Sequence, residues 1–225
     1  LMAMHRINKP EPLAKKALDA LRHSILTNEL STGVLYNEKS LADSLGISRT
    51  PVREALLELS SKRLVKFLPQ KGVIINTFSN KEIEEIFEIR AAFELLAIKK
   101  TCLNYKILDQ SYLQKCLMNQ KNATQLGDTA KFIETDRSFH SYFIKHTDNN
   151  YLIEMMQDIR DIIQLMGLKG LEAKGRMQEV VSEHESIMRA VEKGNVSNAI
   201  KQMKSHLKAS EKAVKSNKPE DNKNG

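Results

Sequence analysis

Residues 46–56 read GISRTPVREAL, from Gly46 to Leu56. Ser48 or Thr50 can cap the start of a helix by accepting a bond from a free backbone N–H. Pro51 is tolerated in the first turn, where N–H groups have no intrahelical partner. Val52, Leu56 and Leu59 then share one face at helical spacing, while Arg49 and Arg53, four apart, share another. A helix with an apolar back and two arginines near its start can enter a DNA major groove. There a guanidinium can make the forked contact offered by O6 and N7 of guanine. Just upstream, Glu38–Leu45 reads as a short helix with Leu41, Ala42 and Leu45 inward, and Gly46 is its natural stop. A short helix, a glycine turn and a basic second helix make the helix-turn-helix pattern.

The longer run LYNEKSLADSLGISRTPVREALLEL, Leu35 to Leu59, resembles the helix-turn-helix of the GntR family of bacterial transcription regulators. The resemblance implies double-stranded DNA as a partner and aligns Lys39 with a basic residue that contacts DNA in relatives. This sequence departs from the family pattern twice. Relatives usually carry Glu-Gly near Lys62-Arg63, and often Arg where Leu35 stands. Downstream, the β-prone runs Val65–Leu68 and Val73–Ile75 flank the turn chemistry of Pro69-Gln70-Lys71-Gly72. That predicts a two-stranded wing whose tip, Lys71 and Gly72, can lie along a phosphate or in the minor groove. The expected DNA contacts are therefore Lys39, Arg49, Thr50, Arg53, Lys71 and Gly72.

At 225 residues, 41% of them apolar and 28% charged, the chain can build one large or two modest packed units. No apolar run approaches the length of a membrane span, and the N-terminal stretch has no signal-peptide pattern, so a cytoplasmic location and no membrane partner are expected. Cys102 and Cys116 fit no metal or redox motif and read as reduced core thiols. Residues 1–77 hold 12 Lys and Arg against 7 Asp and Glu, whereas the remainder holds 23 against 21. The excess positive charge thus gathers around the reading helix, as a polyanion partner favours.

The expected fold is mainly α. A winged helix-turn-helix occupies 10–77, its first helix running from about Leu13 to Asn28 with Leu13, Ala17, Leu21 and Ile25 inward. Ser79 and Glu82 form a capping-box pair that opens a second unit over 79–214. It reads as an all-α antiparallel bundle of about six helices, near 80–103, 106–126, 128–146, 150–168, 173–193 and 196–214. Residues 1–9 and the polar tail, 215–225, read as disordered. A GntR-type head followed by this much helix resembles the FadR subfamily, its VanR-like branch, whose FCD-type C-terminal domain binds effectors.

Periodicity places unusual groups on the apolar stripes of that bundle. Asp136 and His140 share a stripe with Phe132, Phe139 and Phe143; His184 shares one with Val180, Ile187 and Val191; His206 shares one with Ala199 and Met203. Any one of these histidines alone is most simply a satisfied core residue. Together, one divalent cation such as zinc, nickel or manganese can satisfy all four groups. The resemblance implies the same: DRSFH, EHESI and the late His206 match positions that supply one Asp and three His metal ligands in many FadR-type domains. His5, His23 and His146 have no comparable setting. Arg90 is a further inward charge, with Glu94 its simplest partner and an acidic ligand the functional alternative. Arg160 is a second, marginal candidate for a small carboxylate effector. A metal-dependent enzyme, or a helical interaction module with a structural metal, are the competing readings. The first lacks an HExxH or Glu-x-x-His pattern and a placeable nucleophile. The second leaves the basic head unexplained. The favoured reading is a regulator, a repressor by family, acting as a homodimer on a near-palindromic site, because one small head reads only a few base pairs.

Overall fold

The computed structural model describes residues 11–216, the side chain of Ile107 excepted. The chain divides into two compact units, one ending at Asn76 and the other starting at Thr77.

The first unit contains α1 (Leu13–Leu26), β1 (Leu35–Tyr36), α2 (Glu38–Leu45), α3 (Arg49–Ser61), β2 (Val65–Leu68) and β3 (Gly72–Ile75). Its core forms where the stripe of α1, with Leu18, Leu21 and Ile25, meets Val52, Leu56 and Leu59 on the back of α3. Asn37 caps α2 by accepting from the Lys39 N–H, and Gly46 closes it at φ 65°, a left-handed conformation that glycine adopts without a Cβ clash. Ser48 stands at the N-cap of α3 but its side chain makes no capping bond, and Thr50 lies inside the helix. Neither of the two expected caps therefore works through its hydroxyl. The wing is three-stranded rather than two-stranded, in the order β1-β3-β2, with Val65 opposite Ile75 and Leu35 opposite Ile74. A two-residue strand carries no periodicity, so β1 left no mark in the sequence. Lys62-Arg63, the departure from the family pattern, ends α3 with Arg63 at φ 57°.

The second unit is all-helical: α4 (Asn80–Leu103), a 3-10 turn (Tyr105–Ile107), α5 (Gln110–Leu126), α6 (Thr129–Lys145), α7 (Asn150–Gly170), α8 (Arg176–Glu192) and α9 (Val196–Ser216). Side-chain caps set most starts. Ser79 and Glu82 form a complete capping box, and Asp109, Asp128 and Asn149 accept from the first turns of α5, α6 and α7. α4 packs mainly on α9, α5 on α6, and α8 on α9. The shared core joins Ile98, Leu113, Phe139, Phe143, Ile187, Met203 and Leu207. α5 begins four residues later than the expected 106, because the 3-10 turn takes up that stretch. α9 runs to Ser216 with Val214 buried, so Lys215 and Ser216 belong to a helix and not to a tail. The expected disorder of 1–9, the site-free His5 and the tail from 217 onward lie outside the described residues.

Candidate DNA-reading surface and metal centre

The head brings Arg49 and Arg53 together around one carboxylate. Glu38 opens α2, and the first turns of α3 carry Arg49 and Arg53 past it. Arg53 Nη1 donates to both oxygens of Glu38, at 3.0 and 3.2 Å, and Arg49 Nη2 stands 3.7 Å away. The side chains of Arg49 and Arg53 are 66% and 60% exposed, while that of Glu38 is only 11% exposed. The arginines therefore present their outer edges to solvent from a fixed base. Arg49, Arg53, Lys71 and Gly72 border one groove with Phe67–Gln70 of the wing. Lys39 and Thr50 are exposed but do not line it. Gly72 has a structural duty, since a Cβ there would collide with the Tyr36 carbonyl oxygen at φ 131°.

In the helical unit, α6, α8 and α9 turn His140, His184 and His206 toward one point, all three buried. The Nε2 of His206 lies 3.2 Å from that of His140 and 3.4 Å from that of His184. Asp136, one turn before His140, sets Oδ1 3.9 Å from His140 Nε2 and 3.7 Å from His184 Nε2, with its side chain 26% exposed. Each ring is held from behind. His140 Nδ1 faces Glu94 Oε2, His184 Nδ1 faces Gln120 Oε1 at 3.0 Å, and His206 Nδ1 faces Glu183 Oε2 at 2.6 Å. These acceptors draw the ring proton to Nδ1 and leave three Nε2 lone pairs converging. Phe139 stacks on His184 with centroids 4.1 Å apart and fixes its plane.

Three lone pairs facing one another in a buried space repel unless a cation lies among them. Burial also pushes His184 well below the ordinary histidine range, reinforced by His206 and His140. Burial lowers His206 too, although Glu183 opposes the shift. Burial thus favours the neutral form of His184 and His206, and neutral imidazole is the form a metal takes. Metal–nitrogen bonds of about 2.0–2.1 Å hold ligand atoms roughly 3–3.5 Å apart, which the Nε2 spacings match. The residues fit a divalent ion.

A cavity opens beside this cluster. Its lining includes Arg90, Asp136, His140, Arg160 and His206, with Arg137, Gln164 and Arg176. His184 does not line it. Arg90 Nε donates to Glu94 at 2.6 Å, so the simplest partner named from sequence is the one observed. Burial would raise the Glu94 carboxyl, but Arg90 and His140 outweigh it and hold that group far below the usual carboxylate range. Arg176 makes a fork onto Glu183, Nη1 to Oε1 at 2.7 Å and Nη2 to Oε2 at 2.9 Å, so one carboxylate joins a cavity arginine to His206. Gln120, Glu183, Arg137 and Arg176 were not found from sequence. Gln120 and Glu183 act across helices, where periodicity within one helix is blind; only the Arg90–Glu94 spacing gave a signal. His23 and His146 are exposed and take no part in the cluster.

Residues 13–75 match the gntR family of bacterial regulatory proteins, and residues 85–209 match the FCD domain. The chain belongs to the GntR family and carries an FCD domain. It is 26% identical over 203 residues, 90% of this chain and 91% of the relative, to the HTH-type transcriptional regulator YdhC of Bacillus subtilis. It is 25% identical over 170 residues, 75% and 68% of the two chains, to the gluconate operon transcriptional repressor of Bacillus licheniformis. A GntR regulator from Rhodococcus sp. RHA1 shares the fold with a TM-score of 0.82 at 21% identity, over 92% of this chain and 99% of that one. This GntR–FCD protein is a DNA-binding transcriptional regulator and not an enzyme. No helix among the described residues is long and apolar enough to cross a membrane.

Proposed function

We propose that this regulator binds a near-palindromic operator as a homodimer and senses a small organic acid through a metal-bearing FCD domain. The observation that carries the sensor reading is the convergence of three anchored imidazoles beside an arginine-lined cavity. Asp136, His140, His184 and His206 hold one divalent cation, with zinc, nickel and manganese all suited to this donor set. The bound ion supplies positive charge and open coordination positions that a carboxylate can fill. Arg90 and Arg160 orient a second acidic group of the effector, and the apolar walls at Phe87, Ile133 and Met156 exclude water around it.

In the head, Arg49 and Arg53 read base edges or adjacent phosphates, while Lys39, Thr50, Lys71 and Gly72 set the register on the backbone. The repressor sense follows the gluconate operon repressor to which the chain is similar. An effector changes operator affinity only by binding the two states of the protein unequally.

Metal analysis of the purified chain beside a His184→Ala variant tests the centre, and a thermal-shift screen of organic acids on the metal-loaded protein tests the sensor. Bound metal in the wild type and its loss in the variant are the expected results. A wild type that stays metal-free after exposure to zinc, nickel and manganese refutes the metal reading.

A further inference from the structure

α4 is apolar on both sides. Its inner face buries Ile83, Phe87, Ala97, Ile98 and Cys102. Its outer face exposes Ile89 at 42%, Leu96 at 42% and Leu103 at 64%. Single exposed leucines are ordinary. These three recur every seven residues, with exposed Ala92 and half-buried Phe93 between the first two, which is the spacing of a helix-pairing seam. A helix that is apolar all round is normally covered all round.

Exposed Lys81 at the start of the helix apart, the charges along this stripe are sorted by sign. Exposed Glu85 and Glu88 precede the apolar stretch, and exposed Lys99 and Lys100 follow it. The stripe is therefore complementary to itself when reversed. We infer that the outer face of α4 is where two copies of this chain join, helix against antiparallel helix, about a two-fold axis passing between Ala92 and Phe93. In that register Ile89 lies opposite Leu96 of the second copy and Glu85 opposite its Lys100, each contact made twice by symmetry, while Leu103 falls beyond the paired stretch, at the level of Glu82. Glu88 and Lys99 share a flank and approach across the same seam. A parallel pairing would set Glu85 against Glu85 and Lys100 against Lys100, so the charges select the antiparallel arrangement. They also favour a second copy over an unrelated helix, which would have to match both the apolar spacing and the charge order. Glu85 and Lys100 each have one partner within the chain and keep capacity for a second. Lys81 lies 3.8 Å from Glu85 at the exposed surface, and Lys100 Nζ spends one donor on the Thr147 carbonyl at 3.0 Å.

This assignment rests on the homodimer reading and adds its surface and register. The test uses the full chain at micromolar concentration, with sedimentation and oxidative cross-linking as readouts. Ala92→Cys places a thiol beside the axis, and the native Cys102 and Cys116 are buried. Mild copper-phenanthroline oxidation should yield a covalent dimer for Ala92→Cys and none for Lys208→Cys, an exposed control on α9. Ile89→Glu combined with Leu96→Glu should sediment as a monomer with native helical circular dichroism. Should that variant not fold, charge reversal decides. Glu85→Lys or Lys100→Glu alone should weaken the dimer about tenfold, and the two together should return it to within about threefold of wild type. A monomeric wild type overturns both the homodimer reading and this surface. A dimeric wild type with no Ala92→Cys cross-link, and with no loss of dimer in the apolar variant or recovery in the charge swap, overturns the surface alone.

Discussion

Glu38 receives Arg53 Nη1 on both carboxylate oxygens, at 3.0 and 3.2 Å, in the middle of the proposed reading surface. On the proposed reading surface a carboxylate would repel phosphates, so its benefit there would lie in aiming the arginines. Glu38→Gln removes the repulsion together with the charge-assisted anchor. Affinity for a scrambled duplex should hold or rise, while preference for a duplex selected by the wild type from a random library should fall about tenfold. Competition gel shifts at fixed salt measure both. Parallel tightening on the two duplexes would reduce Glu38 to a bystander charge.

Arg53 and Lys71 border the same groove and should fail differently. Arg53→Ala should cost about 1–3 kcal/mol on the selected duplex and little on the scrambled one, if it reads a base. Lys71→Ala at the wing tip should weaken both duplexes alike and reduce the slope of log affinity against log salt by roughly one. The salt series separates them. Equal loss on both duplexes for Arg53→Ala would make it a phosphate contact.

Arg63 ends α3 at φ 57°, a left-handed conformation in which a Cβ is strained. A left-handed L-residue costs about 1–2 kcal/mol, of which glycine's greater unfolded freedom returns part. Arg63→Gly should therefore stabilise the head by about 0.5–1 kcal/mol. Slower hydrogen exchange at the buried Leu56 and Leu59 amides is the readout. Gly72→Ala should act in the opposite sense, because the wing strand cannot clear Tyr36.

The sequence was most legible where local rules decide. The capping box at Ser79 and Glu82 and the Gly46 stop each involve residues within four positions, and both form. The inward direction of His140, His184 and His206 was legible because a helix repeats its faces every turn. What holds those rings was not. Gln120 reaches His184 across 64 positions of sequence and Glu183 reaches His206 across 23, and a helical period cannot say which helices meet. Glu38 was hidden for a related reason. The sequence marks it only as the start of α2, and only the crossing of α2 and α3 puts Arg53 on it.

The supports behind the imidazoles give the sharpest test of the metal centre. Gln120 is fully buried on α5 and accepts from the His184 ring without touching the convergence point itself. Glu183 does the same for His206 while also holding Arg176. Partners of this kind fix the tautomer and aim of a ligand, and losing one typically costs 10- to 100-fold in metal affinity. Gln120→Leu should therefore lower zinc affinity in that range in a chelator competition, with helical circular dichroism retained. Glu183→Gln keeps a hydrogen-bond acceptor for His206 but removes the charge that Arg176 needs, so it should weaken zinc less and disturb organic-acid binding more. If instead the four inward groups are a polar cluster with no ion, Gln120→Leu would leave zinc uptake unchanged and lower only the melting temperature. A metal titration beside a melting curve for the same two variants separates these outcomes.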